Sequence, residues 1–301
     1  MSKIMYKETR FKPESLALIE KVNHIIADFH QKGYELTLRQ VYYQLVASDV
    51  IENKERSYKN LGTLISNARL SGLIDWYAIV DRTRFLRGRN YDHSPDDSVN
   101  ALSNSYKTNP WVGQPNHVEV WVEKDALVDI VGQIANKMDV RFFSCRGYVS
   151  QSAMWQAAQR LSNAYKMGKD VTILHLGDHD PSGQDMSRDI EDRLNTFEVY
   201  PDVKRIALNM DQIELYNPPP NPTKLTDSRA GEYIKQFGYE SWELDALQPE
   251  VIDALIRSHV EPLIDTGLME EVKAECAKDK ALLETVAENW GSIVEEYGEE
   301  R

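Results

Sequence analysis

In the run Val171–Gly183, VTILHLGDHDPSG, an apolar stretch ends in Asp178 and Asp180 with His179 between them. Two carboxylates delivered by a strand into a turn are hard oxygen ligands for a divalent cation. The same residues also suit ordinary turn chemistry, in which Asp side chains bond nearby backbone and Pro and Gly set the dihedrals. A second group with chemical potential is Arg39-Gln40-Val41-Tyr42-Tyr43. A phenol has a pKa of about 10 and is a poor nucleophile until a cation or metal favours the phenolate. On a helix Arg39 lies at i−4 from Tyr43 and shares its face, so it could supply part of that stabilisation. A tyrosine packed over an arginine stem is the plainer reading of the pair.

The elements that must position these groups are partly legible. Residues 13–33 open with Pro13, carry Leu16, Ile19, Val22, Ile26 and Phe29 as one stripe, and close at Gly33, which predicts an amphipathic helix. The next helix starts at Thr37, with Gln40 placed for a reciprocal cap. Its inward stripe is Leu38, Val41, Tyr42 and Leu45, making Tyr42 the core tyrosine and setting Tyr43 about 100° round the helix. A third helix runs from a Ser57 cap to Gly72, with Leu61, Leu64, Ile65 and Ala68 inward and Lys59, Thr63, Asn67 and Arg69 outward. LIDWYAIVD then has strand composition and leads into RTRFLRGRN, with Arg82, Arg84, Arg87 and Arg89. Three helices and a β-segment with an arginine-rich loop describe a winged-helix module, whose outer helix face and loop would bind DNA phosphates. Residues 90–116 lack clear periodicity and read as a linker, so the sequence predicts domains at 1–110, 111–260 and 261–301.

The net charge of −13 hides an asymmetry. Residues 1–110 hold 16 basic and 13 acidic side chains, and the rest 19 and 35. Lys54–Arg89 alone has 8 basic and 3 acidic residues, a patch suited to phosphates, whereas 261–301 has 4 and 12, which reads as a solvated amphipathic helix pair. The two cysteines, Cys145 and Cys276, lack a partner motif, which argues against a disulfide scaffold. Without a signal-like segment or a long apolar run, the sequence predicts a cytoplasmic protein that does not enter a membrane.

From residue 117 strand and helix alternate: HVEVWVE, KDALVDIVGQIANKM, VRFFSC, SAMWQAAQRLSNAYKMG, VTILHLG, QDMSRDIEDRLN and KRIALN. This pattern predicts a mostly parallel sheet flanked by helices, with ligands at the carboxyl ends of its strands. Glu123 ends the first strand, Gly147 follows the second, and Asp178 and Asp180 follow the third. Three carboxylates converging on one edge would hold Mg²⁺ or Mn²⁺.

With VWVEKDAL, a glycine after the second strand and Asp-x-Asp after the third, this half resembles the Toprim domain. The fuller resemblance is to the topoisomerase VI A subunit and the meiotic double-strand-break transesterases. Arg39–Tyr43 is similar to that family's Arg-x-hydrophobic-aromatic-Tyr motif and GDHDPSG to its Asp-x-Asp-Pro-x-Gly. WELDAL at 242–247 is similar to its late acidic element, and RGYVSQS at 146–152 to its Gly-Tyr-Pro stretch, with Val149 replacing the proline. The likeness runs in order from about Leu36 to Leu247.

The resemblance implies a winged-helix domain carrying the nucleophile Tyr43 beside Arg39, and a Toprim domain holding metal through Glu123, Asp178 and Asp180. It also implies that the two meet across a homodimer acting on double-stranded DNA. Glu243 and Asp245 carry over as supporting residues, and His179 as a hydrogen-bonding neighbour or proton carrier. A separate ATPase B-type subunit belongs to the full family enzyme, and nothing in this chain resembles it. The expected activity is Mg²⁺-dependent DNA cleavage by transesterification. The alternatives are a hydrolytic Toprim nuclease and a non-enzymatic winged-helix DNA-binding protein. The last is weighed against because three carboxylates without a counter-ion would repel.

Overall fold

A computed structural model describes residues 3–80 and 91–298. The N-terminal helices are α1 (Pro13–Gln31), α2 (Leu38–Ala47) and α3 (Glu55–Leu70), followed by α4 (Pro95–Ser105). Strand β1 (Asn116–Val122) leads through a short 3₁₀ turn into α5 (Val128–Lys137). Next come β2 (Arg141–Ser144), α6 (Gln151–Lys166), β3 (Asp170–Leu176), α7 (Pro181–Thr196), β4 (Asp202–Ala207) and α8 (Met210–Tyr216). A two-residue hairpin, β5 (Asn221–Pro222) with β6 (Glu240–Ser241), encloses α9 (Ala230–Phe237). The chain ends in α10 (Pro249–Val260), α11 (Thr266–Glu288) and α12 (Trp290–Tyr297). No helix among the described residues is long and apolar enough to cross a membrane.

Contacts group the chain into two compact units. One comprises Met1–Arg84 with Val118–Pro262, the other Phe85–His117 with Leu263–Arg301. In the first, α1, α2 and α3 pack on one another through Ile19, Val22, Val41, Leu45, Leu61 and Ile65. The Thr37 cap forms reciprocally, with Gln40 N–H on Thr37 Oγ1 at 3.4 Å and Thr37 N–H on Gln40 Oε1 at 2.8 Å. Helix α3 begins at Glu55 rather than at a Ser57 cap, and no side chain caps it. The described part of LIDWYAIVD, residues 73–80, forms no strand. Its backbone makes one isolated parallel bridge, Leu36 with Ile79, because turns at 72–78 break the extended run. The described residues therefore show three helices without a paired wing, and Arg82, Arg84, Arg87 and Arg89 lie outside the described residues.

The first unit also holds a four-stranded parallel sheet, ordered β2-β1-β3-β4. Paired registers include Trp121 with Phe143 and Leu174 with Lys204. One face packs Trp121, Ile173, Met154, Leu161, Met186 and Ile190 into a core under α6 and α7, where free Cys145 is also buried. This α/β architecture agrees with the alternation in the sequence.

In the second unit, residues 91–116 are not featureless. Ser94 caps α4 through the Asp97 N–H, with Pro95 opening the helix, and α4 packs on α11. The Ser-Pro-Asp-Asp start is a helix signal that the polar composition obscured.

Candidate functional site

The strand order makes β1 and β3 neighbours, while the connection from β1 runs outward to β2. A switch point therefore lies between β1 and β3, where the ends of an open parallel sheet form a crevice. Glu123 leaves β1 there and Asp178 leaves β3. Glu123 N–H bonds the Leu176 carbonyl at 2.9 Å, and Asp178 N–H donates to Glu123 Oε2 at 2.9 Å. Asp180 caps α7, accepting from Gly183 N–H at 2.6 Å and Ser182 Oγ at 3.0 Å. The turn-chemistry reading thus holds for Asp180 while it stands at the crevice. A Cβ on Gly183 would overlap the Asp178 carbonyl and come within 3.1 Å of Glu123 Oε2. Only glycine lets the first turn of α7 approach the two strand ends this closely.

WELDAL docks directly on GDHD. Backbone bonds join His179 and Trp242 in both directions at 2.8 and 2.9 Å, and Leu244 N–H donates to Asp178 Oδ1 at 2.8 Å. Asp178 Oδ2 meets Lys124 Nζ at 2.7 Å, and Lys124 also contacts Glu243. Arg39 reaches in from α2, with Nη2 2.6 Å from Glu243 Oε2 and Nε 3.0 Å from Asp245 Oδ2. Neither Asp245 oxygen has a well-aligned hydrogen bond, although the carboxylate is fully buried. Two cations are thus shared among the three carboxylates of Asp178, Glu243 and Asp245; of the three carboxylates expected to converge, Asp178 is ion-paired, to Lys124. Lys124 is the residue that the sequence reading passed over, although it stands beside Glu123 in VEKDAL.

Burial pushes Asp178 up to about 8 against the pull of Lys124, and raises Glu123 against its bond from Asp178 N–H. Burial opposes ionisation of Glu243 too, but Lys124 and Arg39 hold it below the usual carboxylate range. Arg205 is depressed by burial, and its guanidinium fastens the turn by donating to the carbonyls of Gly177, Asp178 and Gly183 at 3.1, 2.6 and 2.8 Å.

His179 is a structural neighbour. Its Nδ1 lies 2.7 Å from Tyr233 Oη, its ring packs against Tyr233, Phe237 and Trp242, and burial lowers its pKa to about 4. Gly147, with φ +76°, turns the chain beyond β2.

Tyr42 and Tyr43 are both buried, at 5 % and 4 % exposure, so the division into one core and one outward tyrosine does not hold. WELDAL packs over the outer face of α2 and encloses Tyr43. Tyr42 Oη donates to Asn53 Oδ1 at 2.9 Å, and Asn53 Nδ2 donates to Asn221 Oδ1 at 2.7 Å. The Arg39 guanidinium lies 5.8 Å from the Tyr43 ring centre, and Asn221 lines the same cavity as that tyrosine. Burial, reinforced by Asp245 and Glu243, pushes the Tyr43 phenol up to about 12 despite Arg39. Tyr43, Arg39, Asp180 and Glu243 line one cavity of about 530 Å³, together with Asn53, Asn221 and Trp242. The resemblance would bring tyrosine and metal ligands together across a homodimer; within this one chain Tyr43 shares its cavity with Asp180, while Glu123 and Asp178 are not among the lining residues.

Of the candidate DNA contacts, Lys59 is exposed and pairs with Glu55 at 2.7 Å. Arg69 does not face outward as expected. It donates to the Ile79 carbonyl and lies 5.9 Å from the Trp76 ring centre, because the chain after α3 folds back across it.

The donor chemistry fits a hard divalent ion in part. Glu123 Oε1 and Asp180 Oδ2 receive no hydrogen bond from a described residue, whereas both Asp178 oxygens are committed. No group of three His, Cys, Asp or Glu among the described residues is arranged to hold a metal ion. No family model matches the chain, and neither does any curated protein or solved structure.

Proposed function

We propose that the chain is a DNA-cleaving transesterase of the topoisomerase VI A-subunit kind, its helical N-terminal part acting as a winged-helix module and its sheet as a Toprim domain. The observation that supports this reading is the single cavity lined by Tyr43, Arg39, Asp180 and Glu243. Tyr43 Oη attacks a backbone phosphorus, a tyrosyl phosphoester forms on the 5′ side, and the bond to the 3′ oxygen breaks. The phenolic proton passes to solvent as the phosphoester forms, and the leaving 3′ oxygen takes a proton from solvent. Arg39, held over the Tyr43 ring, orients the phenol and offers positive charge to the phosphoryl oxygens. Glu123 and Asp180 would hold Mg²⁺ or Mn²⁺, with Asp178 joining only by releasing Lys124. The bound ion would supply Lewis-acid stabilisation of the developing charge. The proposal extends to double-stranded DNA as the target, a homodimer as the working assembly and an ATPase B-type subunit as a partner for strand passage.

Incubation with end-labelled DNA and Mg²⁺ or Mn²⁺, followed by denaturation, should trap a covalent adduct. An adduct that persists in Tyr43→Phe would remove Tyr43 from the mechanism. A second reading, hydrolysis without a covalent intermediate, is favoured by the pKa of about 12 at Tyr43 and by the commitment of Arg39 to carboxylates. On that reading Tyr43→Phe still cuts DNA while Glu123→Gln does not.

A further inference from the structure

One ammonium stands between the strand ends and the WELDAL segment, and the way its bonds are shared governs how the crevice takes a divalent cation; this inference rests on the metal-dependent reading above. Lys124 has a side chain 18 % exposed, with Nζ 2.7 Å from Asp178 Oδ2 and also in contact with Glu243 Oε2. An ammonium has three N–H donors, and these two oxygens take two of them. Glu243 Oε2 also lies 2.6 Å from Arg39 Nη2, so it is anchored from α2 independently of Lys124. Glu243 is thus a pivot on which the lysine can turn while keeping one partner.

Beside that pivot stands a carboxylate with bonding capacity to spare. Asp245 is 1 % exposed, neither of its oxygens has a well-aligned hydrogen bond from a described residue, and Lys124 and Arg39 are the cations that favour its ionised form. A buried carboxylate in that condition is costly, and a further N–H donor is the group that relieves it. On the other side, Asp178 Oδ1 keeps the Leu244 N–H at 2.8 Å when Lys124 leaves, so Oδ2 alone is released. It would join Glu123 Oε1 and Asp180 Oδ2, which receive no hydrogen bond from a described residue. Charge supports the same division. With Lys124 on Asp245, two cations, Lys124 and Arg39, match two carboxylates, Glu243 and Asp245. Glu123, Asp178 and Asp180 are left with the single charge of Arg205, a balance of two negative charges that suits a divalent ion with hard oxygen ligands.

We propose that Lys124 is a tethered competitor for the divalent cation, holding Asp178 Oδ2 until its ammonium swings about Glu243 onto Asp245. Lys124 is then a positioning residue that sets the cation concentration at which the site fills, and Asp245 is the group that receives it.

The test measures Mn²⁺ binding to the full chain without DNA, from the EPR signal of the free ion, in the parent, Lys124→Gln, Asp178→Asn and the double variant. The amide in Lys124→Gln still donates to Asp178 or Glu243 but carries no charge, and binding should tighten about tenfold. In the Asp178→Asn background the same change should bring no gain, because the contested oxygen is gone, whereas a general field effect of the lysine would persist there. Lys124→Arg keeps the charge and can fork onto Asp178, so it should bind Mn²⁺ more weakly than the parent, and it decides the matter if Lys124→Gln does not fold. No gain in Lys124→Gln, an equal gain in the Asp178→Asn background, or unchanged or tighter binding by Lys124→Arg would each overturn the competition. Labelled duplex DNA incubated with the same proteins separates this result from the cleavage reading. The expected Mn²⁺ pattern with no product from any protein would uphold the competition and overturn cleavage. Cutting by the parent, with Mn²⁺ affinity unmoved in Lys124→Gln, would do the reverse.

Discussion

Glu119 and Glu123 belong to one stretch of chain, the first within β1 and the second just past its end, and they differ in how completely they are enclosed. Glu119 is 1 % exposed and satisfied, with Arg160 forked onto it at 2.7 and 2.9 Å and Trp121 Nε1 at 3.0 Å. Glu123 has one backbone N–H and an uncommitted oxygen among the described residues. A carboxylate whose bonding is complete within the fold supports the fold. One held in place with an oxygen left over is free to act on something else.

Four measurements can break or sharpen that contrast. The largest effect on stability should come at the closed site. Arg160→Ala leaves the Glu119 carboxylate buried without its cation and should cost about 3–5 kcal/mol in urea unfolding. A loss below about 1 kcal/mol would show that Glu119 is not closed in solution.

Next is acid. Burial depresses His175 from its ordinary 6.5 to about 3, and its Nδ1 is 2.8 Å from Ser187 Oγ. Between those values the unfolded chain binds a proton that the folded chain does not, so stability falls as pH drops below 6.5. The loss should reach about 3 kcal/mol by pH 4 and should be absent in His175→Gln, in urea titrations across that window.

Third, Gly183→Ala forces α7 away from the Asp178 carbonyl. It should cost about 2 kcal/mol and remove metal-dependent cleavage together with it. Smallest in stability is Glu123→Gln, whose amide oxygen can still accept the Asp178 N–H. It should change unfolding by less than about 1 kcal/mol while lowering cleavage by about a hundredfold or more. A large stability loss there would make Glu123 a structural residue like Glu119.

The fold was readable wherever periodicity governs it. The stripe of α1, the Thr37–Gln40 cap and the strand-helix alternation after 117 are local patterns, and the structure carries them through. The meeting of Glu123 with Asp178 followed from strand ends and alternation, whereas no three such groups among the described residues are arranged to hold a metal ion. What local pattern could not carry was partner choice. Lys124 pairs with Glu243 across 119 positions and Arg39 with the same carboxylate across 204, and no periodicity connects residues so far apart. The strand expected at 73–81 failed for the opposite reason. Its composition suits a strand, but among the described residues its only β-pairing is the single bridge of Ile79 with Leu36.

The pairing of His179 with Trp242 has a consequence for when the protein becomes competent. Asp178 receives its Leu244 bond from 66 residues downstream, and Arg39 reaches its carboxylates only after nearly the whole first unit has been made. Closing such long loops is entropically costly and comes late in folding. A chain emerging from the ribosome therefore carries its tyrosine and aspartates well before it can bring them together. A fragment ending ahead of Trp242 should be inert, which delays any reactivity toward nucleic acid until synthesis has passed that residue.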